Sequence, residues 1–201
     1  MSTPYPDGTA LIVVDVQHDF GHPDGGLYVE GGEAIIGRVN AEVRAARGAG
    51  AFVVYTQDWH PPTTPHFAKD GGTWPVHCVR DTWGAELHDE LIVDGPVVRK
   101  GVDGGDGYSG FSVRDPQSGE EHATELGRLL DEADARRVVV VGLAGDVCVK
   151  ATALDAVAAG LEVEVPVATT AFVDPEDGDR ALDELRAAGV AVPEQAPAAR
   201  G

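Results

Sequence analysis

The chain has 201 residues, of which 43% are hydrophobic and 24% are charged, a composition typical of a globular protein. Its 15 basic and 34 acidic side chains give a formal charge of −19, which repels nucleic-acid backbones and anionic lipid. No apolar run reaches the length of a membrane span. We therefore expect neither a nucleic-acid partner nor a membrane partner.

The chain carries two cysteines, Cys78 and Cys148, and its N-terminal segment has no basic residues before the first apolar run. Two cysteines are too few for the disulfide framework of a secreted domain, and the N-terminal segment does not resemble a secretory signal. We expect reduced thiols and a cytoplasmic location. The length predicts a single domain over residues 1–201, with a loose Pro/Ala-rich tail at about 193–201.

In chain order, short apolar runs rich in valine and isoleucine alternate with amphipathic patterns of helical period. Each run is apolar on successive residues, which is typical of strands buried on both faces of a parallel sheet. The predicted elements are a strand at Leu11–Val14, a helix at Glu33–Arg47, strands at Phe52–Tyr55 and Val97–Val98, a helix at Glu121–Ala133, a strand at Val138–Val141, a helix at Val147–Ala159, a strand at Val163–Val167 and a helix at Arg180–Ala188. This order predicts a doubly wound, mostly parallel α/β fold with helices on both faces of the sheet.

Two long irregular segments interrupt this alternation, at 58–87 and at 101–120, and segments of this length are often functional. Reactive side chains also follow four of the predicted strands. They are Asp15, Asp58 with His60, Lys100, and the turn from Ala144 to Cys148. Because ligands bind at the carboxyl ends of the strands in open α/β sheets, the sequence predicts a functional site at this edge.

The segment 58–87 contains a candidate metal site. Its possible ligands are Asp58, His60, His66 and His77, whose nitrogen and oxygen atoms suit Zn²⁺, Fe²⁺ or Mn²⁺. The alternative is a set of surface histidines in a loop, because the spacing is looser than that of a helical metal-binding motif.

Cys148 follows a glycine-rich turn and precedes a predicted helix, so its thiol lies near a helix N-terminus. Such a position lowers the pKa of a thiol and favours a nucleophile, whereas the alternative is a buried structural cysteine, the interpretation we give to Cys78. Three of the seven histidines cluster in the candidate metal loop, and Asp15 and Lys100 at the same sheet edge are the alternative candidate partners of the thiol. Each of these two could also be a solvated charge at a strand end.

Taken together, these motifs resemble the nicotinamidase branch of the isochorismatase-like cysteine hydrolases. The resemblance covers residues 9 to 175. It rests on Ala10–Phe20, Asp58-Trp-His60-Pro, Trp74–Cys78, Arg99-Lys100-Gly101, Tyr108–Phe111 and Gly142–Val149. The chain departs from the family pattern at three places. Gly145 stands where many relatives carry threonine and could loosen the turn, and the spacer before Tyr108 is about one residue longer than is usual in the family. His66 matches a metal ligand found in only part of the family.

The resemblance implies a six-stranded sheet and a covalent mechanism. Asp15, Lys100 and Cys148 would be the catalytic residues, and the backbone N–H groups of Ala144 and Cys148 would form the oxyanion hole. The peptide between Leu143 and Ala144 would be cis. The implied reaction converts nicotinamide to nicotinate and ammonia through a thioester, a step of NAD salvage, and pyrazinamide is a further candidate substrate.

The resemblance also implies one divalent metal ion, most simply zinc, held by Asp58, His60 and His77 with His66 as a fourth ligand. The ion would contact the ring nitrogen of nicotinamide, and Phe20, Trp74 and Tyr108 would enclose the flat ring.

Two alternatives remain open at this stage. One is a related hydrolase that acts on another carboxamide or an N-carbamoyl compound, although those branches lack the metal site. The other is an inactive α/β module that binds partners, which the intact Asp15, Lys100 and Cys148 set disfavours. The sequence leaves monomer and homo-oligomer equally open.

Overall fold

A parallel five-stranded sheet lies at the centre of the computed structural model, which describes residues 4–199. The strands are β1 (Thr9–Val14), β2 (Phe52–Asp58), β3 (Val97–Lys100), β4 (Ser112–Arg114), β5 (Glu121–Ala123), β6 (Arg137–Gly142) and β7 (Glu162–Glu164). The central sheet has the order β3-β2-β1-β6-β7, and β4 and β5 form a separate antiparallel pair. The mostly parallel α/β fold is therefore confirmed.

Helices cover both faces of this sheet. They are α1 (His18–Gly21), α2 (Gly32–Gly48), α3 (Leu126–Glu132), α4 (Cys148–Ala158) and α5 (Pro175–Ala187). Within residues 4–199, none of them is both long enough and apolar enough to cross a membrane.

The strand β1 shows why the sheet is buried on both sides. Leu11 and Val13 belong to one hydrophobic core together with the apolar face of α2, whereas Ile12 and Val14 belong to a second core together with α3, α4 and α5. Successive side chains of a strand point to opposite faces, so a continuously apolar run buries both. Burial of each large apolar side chain contributes about 1.5–3 kcal/mol.

The prediction of a six-stranded sheet is wrong: among residues 4–199 the central sheet has five strands. At the outer edge of β7, Ala191 forms only an isolated parallel bridge with Glu164. The Ala191 N–H donates to the Val163 carbonyl at 2.9 Å, and the Ala191 carbonyl accepts from the Val165 N–H at 2.8 Å. Pro193 follows and has no N–H with which to extend a ladder.

Two helix predictions are wrong at their first residues. The helix predicted from Glu121 begins instead at Leu126, because β5 occupies the first three positions and the Thr124 hydroxyl accepts from the Leu126 N–H at 3.1 Å. The last helix begins at Pro175 and not at Arg180. Its N-cap is Asp174, whose carboxylate accepts from the N–H groups of the first turn, and this capping signal is present in the sequence.

The tail predicted to be loose packs against the domain over residues 193–199. Ala196 and Pro197 are buried, and the Ala198 N–H donates to the Glu42 carboxylate at 3.0 Å. A Pro/Ala-rich composition does not reveal such backbone contacts, since they depend on a partner far away in the sequence.

Candidate active site

The strand order reverses between β1 and β6, and the predicted reactive side chains meet at the carboxyl ends of these strands. Asp15 follows β1, Asp58 ends β2, Lys100 ends β3, and Cys148 begins the helix after β6. All four are buried. One ligand atom each of Asp15, Asp58 and Cys148 lies within 4.8 Å of the other two.

Lys100 lies at the centre of this cluster, and its side chain is fully buried. Its Nζ is 2.7 Å from Asp15 Oδ2, 2.5 Å from Asp58 Oδ1 and 3.8 Å from Cys148 Sγ, and it also donates to the Gly107 carbonyl. Burial opposes the ammonium charge, but the two carboxylates outweigh burial and raise the pKa of Lys100 well above its ordinary value. Lys100 therefore remains a cation between two acidic groups.

Asp15 is fully buried and has a φ of 47°, an uncommon conformation for a residue other than glycine. Its Oδ1 accepts a hydrogen bond of 2.7 Å from the Thr56 hydroxyl. Burial raises the pKa of Asp15 to about 6, against the opposing effect of the Lys100 ammonium. A carboxyl that titrates close to neutral pH can both take and return a proton at the working pH.

Cys148 is the first residue of α4 and belongs to the same cluster. Its position at a helix N-terminus agrees with the prediction, but its pKa does not. Burial raises the pKa of the thiol well above its ordinary value, Lys100 opposes this, and Asp15 and Asp58 add to it. The partial charge of one helix end is smaller than the desolvation of a buried thiolate, so the thiol keeps its proton until a base removes it.

Gly145 does not loosen the turn beside Cys148. Its N–H donates to the Ala171 carbonyl at 2.8 Å. A β-carbon at Gly145 would lie 2.5 Å from the ring of Phe172, so this ring already fills the space that a threonine side chain would need.

The rest of the turn is bound to the same neighbouring segment. The Asp146 carboxylate accepts from the N–H groups of Val173 and Asp174, at 3.0 and 3.1 Å. The peptide between Leu143 and Ala144 is cis, and Ala144 lies on the pocket wall with Cys148. The turn therefore holds the positions predicted for the nucleophile and the oxyanion hole.

Three histidines of the segment 58–87 meet beside this cluster, and one ring nitrogen each of His60, His66 and His77 lies within 4.8 Å of the other two. His77 Nδ1 is 2.7 Å from the Pro75 carbonyl, so this nitrogen donates and Nε2 keeps its lone pair. Both ring nitrogens of His60 are buried without a hydrogen-bond partner among residues 4–199. Because a buried polar atom without a partner is unfavourable, a cation bound to one ring nitrogen of each histidine fits the arrangement.

Asp58 lies between the two groups. Its Oδ1 contacts Lys100, and its Oδ2 is 3.8 Å from His60 Nε2. Burial opposes ionisation, but Lys100 and His60 hold the pKa of Asp58 well below its ordinary range. Asp58 is therefore a carboxylate, and three imidazoles with one carboxylate form a donor set that suits zinc and also iron or manganese.

One pocket is lined both by Cys148 and by two of the histidines, His66 and His77. The aromatic residues predicted to enclose a ring, Phe20, Trp74 and Tyr108, all line it. Trp74 Nε1 donates to the Tyr108 hydroxyl at 2.9 Å, and the ring of Phe20 lies 5.4 Å from that of His77, centroid to centroid. Most residues that line the pocket are apolar or aromatic, and Asp58, His66, His77 and Cys148 add polar groups to it.

Several groups that support the site were missed in the sequence. The side chain of Gln17 forms two hydrogen bonds of 2.8 Å with the backbone of Asp58, and Thr56 holds Asp15. Val173 and Val147 line the pocket. Gln17 carries a recognisable signal, because it lies two residues after Asp15 at the end of the first strand, but the valines carry none.

The sequence of residues 9–196 matches the Isochorismatase domain family. The chain belongs to this family. Within it, the nicotinamidase/pyrazinamidase of Mycobacterium tuberculosis is 39% identical, over 90% of this chain and 96% of that protein.

Two solved structures are similar over nearly the whole fold. The L. infantum protein PnC1 in complex with nicotinate has a TM-score of 0.85 at 40% identity, covering 92% of each chain. The pyrazinamidase of Pyrococcus horikoshii in complex with zinc has a TM-score of 0.82 at 39% identity, covering 93% of this chain and 98% of that one.

Proposed function

We propose that this protein is a nicotinamidase, which hydrolyses nicotinamide to nicotinate and ammonia and serves NAD salvage. The observation that carries the proposal is a single pocket lined both by Cys148 and by His66 and His77, with His60 buried beside these two histidines. A carboxamide on an aromatic ring needs a nucleophile at its carbonyl carbon and a partner for its ring nitrogen. The nicotinate and zinc bound by the two similar proteins support the proposal, and pyrazinamide has the same two features.

The chemical step begins with proton transfer from the Cys148 thiol to the Asp15 carboxylate. The thiolate then attacks the carboxamide carbon, and the N–H groups of Ala144 and Cys148 stabilise the oxyanion that forms. When the C–N bond breaks, Asp15 returns its proton to the departing ammonia. This leaves a thioester on Cys148.

Water completes the reaction. Asp15 takes a proton from the water that attacks the thioester. When the C–S bond breaks, Asp15 gives this proton to the departing sulfur, which restores the thiol and the Asp15 carboxylate and releases nicotinate. Lys100 remains protonated throughout and stabilises negative charge on Asp15 and on the sulfur, 2.7 and 3.8 Å away. The raised pKa of Asp15 suits this repeated exchange of a proton.

Asp58, His60, His66 and His77 are the proposed ligands of one divalent cation, and zinc is the proposed metal. When bound, the cation supplies an electrophilic site for a ring nitrogen. Phe20, Trp74 and Tyr108 hold the flat ring between them, and a good aromatic pair contributes about 0.5–1.5 kcal/mol. We also propose a single domain in a reducing, cytoplasmic environment, where the thiols of Cys78 and Cys148 stay free.

The test is release of ammonia from nicotinamide by the purified protein. We expect turnover that falls when a chelator removes the metal and returns when zinc is added. An N-carbamoyl amino acid serves as the comparison substrate, because it presents a similar amide without a ring nitrogen. Turnover of the N-carbamoyl compound without turnover of nicotinamide would assign the protein to the alternative branch of the family.

A further inference from the structure

A carboxylate outside the proposed ligand set contacts one of the histidines. Asp106 Oδ1 lies 2.6 Å from His66 Nδ1, and the two side chains are 19% and 4% exposed. Because a carboxylate oxygen accepts, Nδ1 of His66 carries the proton and Nε2 keeps its lone pair. His77 is oriented in the same sense, but by the neutral carbonyl of Pro75. Asp106 is therefore an anionic partner for a member of the histidine cluster.

The backbone fixes the position of Asp106. Its N–H donates to the Arg114 carbonyl at 2.7 Å, and its carbonyl accepts from the Arg114 N–H at 3.0 Å, so Asp106 is tied to β4. On the side of the metal loop, the Thr64 hydroxyl donates to the Gly104 carbonyl at 2.6 Å. The spacer before Tyr108 is thus bound both to the β4–β5 hairpin and to the loop that carries His66.

We propose that Asp106 is a positioning residue for His66. It holds the imidazole in the tautomer and orientation in which Nε2 is free for a cation shared with His60 and His77. It also raises the basicity of that nitrogen, because a carboxylate stabilises the proton on Nδ1. Mutation of a residue that orients a metal ligand in this way typically weakens metal binding by roughly 10–100-fold.

This inference gives the β4–β5 hairpin a function, since the hairpin holds Asp106 although it contributes no residue to the pocket wall. It rests on the proposed metal site and adds a residue that acts through a ligand. Its test therefore measures metal binding directly, without substrate.

The experiment compares the zinc dissociation constants of the wild type, Asp106→Ala and Asp106→Asn, measured by competition with a chromogenic chelator. Asp103→Ala is the matched control, because it removes the same charge from an exposed position of the same segment. We expect Asp106→Ala to weaken zinc binding by about 10–100-fold, Asp106→Asn to weaken it less because its amide oxygen still accepts, and Asp103→Ala to leave it unchanged. Thermal denaturation of the metal-free variants checks that each one folds. If Asp106→Ala does not fold, the comparison relies on Asp106→Asn, whose side chain has nearly the same volume as that of the wild type.

A second background separates positioning from a general effect of charge. In His66→Ala, the further change Asp106→Ala is expected to cause no additional loss of zinc affinity, since the ring through which Asp106 acts is gone. An equal loss in both backgrounds, or an Asp106→Ala variant that binds zinc as the Asp103→Ala control does, overturns the inference. A wild-type protein that binds no zinc overturns the proposed metal site itself, so the two failures are distinguishable.

Discussion

The catalytic cluster and the histidine cluster are neighbours in one pocket, but they are built differently. Asp15 and Lys100 stand at the ends of parallel strands, and Cys148 begins a helix. The three histidines stand in a long segment whose only regular elements, within residues 4–199, are short 3-10 turns at Ala68–Asp70 and Trp83–Ala85.

The two clusters also differ in how their polar atoms are satisfied. Lys100 forms ion pairs with both carboxylates, so each charged side chain of this group has a partner of opposite charge within it. In the histidine cluster, both ring nitrogens of His60 are buried without a hydrogen-bond partner among residues 4–199, and a bound cation would supply one. Changes in the first cluster should therefore affect the chemical step, and changes in the second should affect metal binding and recognition of the ring.

The largest expected effect is that of Cys148→Ala. We expect turnover to fall at least about 10⁴-fold, because the nucleophile is removed, while zinc content stays that of the wild type. Ammonia release and elemental analysis of the same sample measure both. Cys78→Ala is the control, since this buried thiol lies outside the pocket lining, and it should keep most activity. Substantial turnover by pure Cys148→Ala would rule out the covalent mechanism.

Asp15→Asn and Lys100→Ala should each lower kcat by at least about 10²-fold, the usual contribution of general acid–base catalysis. Asp15→Asn should not alter zinc affinity, because the proposed ligands are untouched. Steady-state kinetics distinguish the roles. A change confined to KM would mean that these residues bind the substrate and take no part in the chemistry.

The pH dependence should reveal the same carboxyl. Since the pKa of Asp15 is raised to about 6, Asp15 becomes protonated as the pH falls through that value and can no longer accept the thiol proton. We expect kcat/KM to fall about tenfold for each further unit of pH below this point. Metal content must be measured at each pH, because acid also releases zinc from histidines. A profile that stays flat down to pH 5, with metal retained, would contradict the assignment.

In the histidine cluster the expected effect is smaller and concerns selectivity. Benzamide has the shape of nicotinamide but no ring nitrogen, so it leaves a polar site without its partner, an unfavourable term of about 1–3 kcal/mol. We expect kcat/KM for benzamide to be at least about tenfold lower than for nicotinamide. His60→Ala should lose metal and reduce this preference. Equal turnover of both amides by the zinc-loaded wild type would make the ion structural.

The smallest effect is expected at the turn. Gly145→Thr places a β-carbon 2.5 Å from the ring of Phe172, and overpacking of this kind destabilises a protein by about 1–3 kcal/mol. For a chain of this size, the melting temperature should fall by about 2–4 °C for each kcal/mol. In a Phe172→Ala background the same substitution should cause a smaller fall, because the space has been vacated. Equal falls in both backgrounds would show that Phe172 and residue 145 do not compete for space.

The fold was largely predictable from local pattern. Runs such as Leu11–Val14 are short, rich in valine and apolar on successive residues, which is typical of a strand covered on both faces. The start of α3 was not predictable in this way, because Glu121–Ala123 joins β4 through pairing that periodicity does not encode. The sixth strand was also mispredicted because pairing between distant segments decides it. The resemblance implies a strand where this chain forms one isolated bridge at Ala191.

What the sequence determined by itself is which chemical groups stand at the ends of the strands. Asp15 directly follows the first strand, Asp58 and Lys100 end the next two, and parallel strands bring such positions to one edge. Together with the family resemblance, the identities and order of these groups indicated a cysteine hydrolase with a metal loop.

Only the tertiary structure decided the state and the support of these groups. The pKa of Cys148 depends on burial and on the charges of Lys100, Asp15 and Asp58. It is raised, whereas its position at a helix N-terminus predicted that it would be lowered. The contact of Asp106 with His66 joins residues 40 positions apart, and no local pattern marks it. Burial, desolvation and long-range pairing arise from packing between distant segments, so a linear sequence read alone does not contain them in recognisable form.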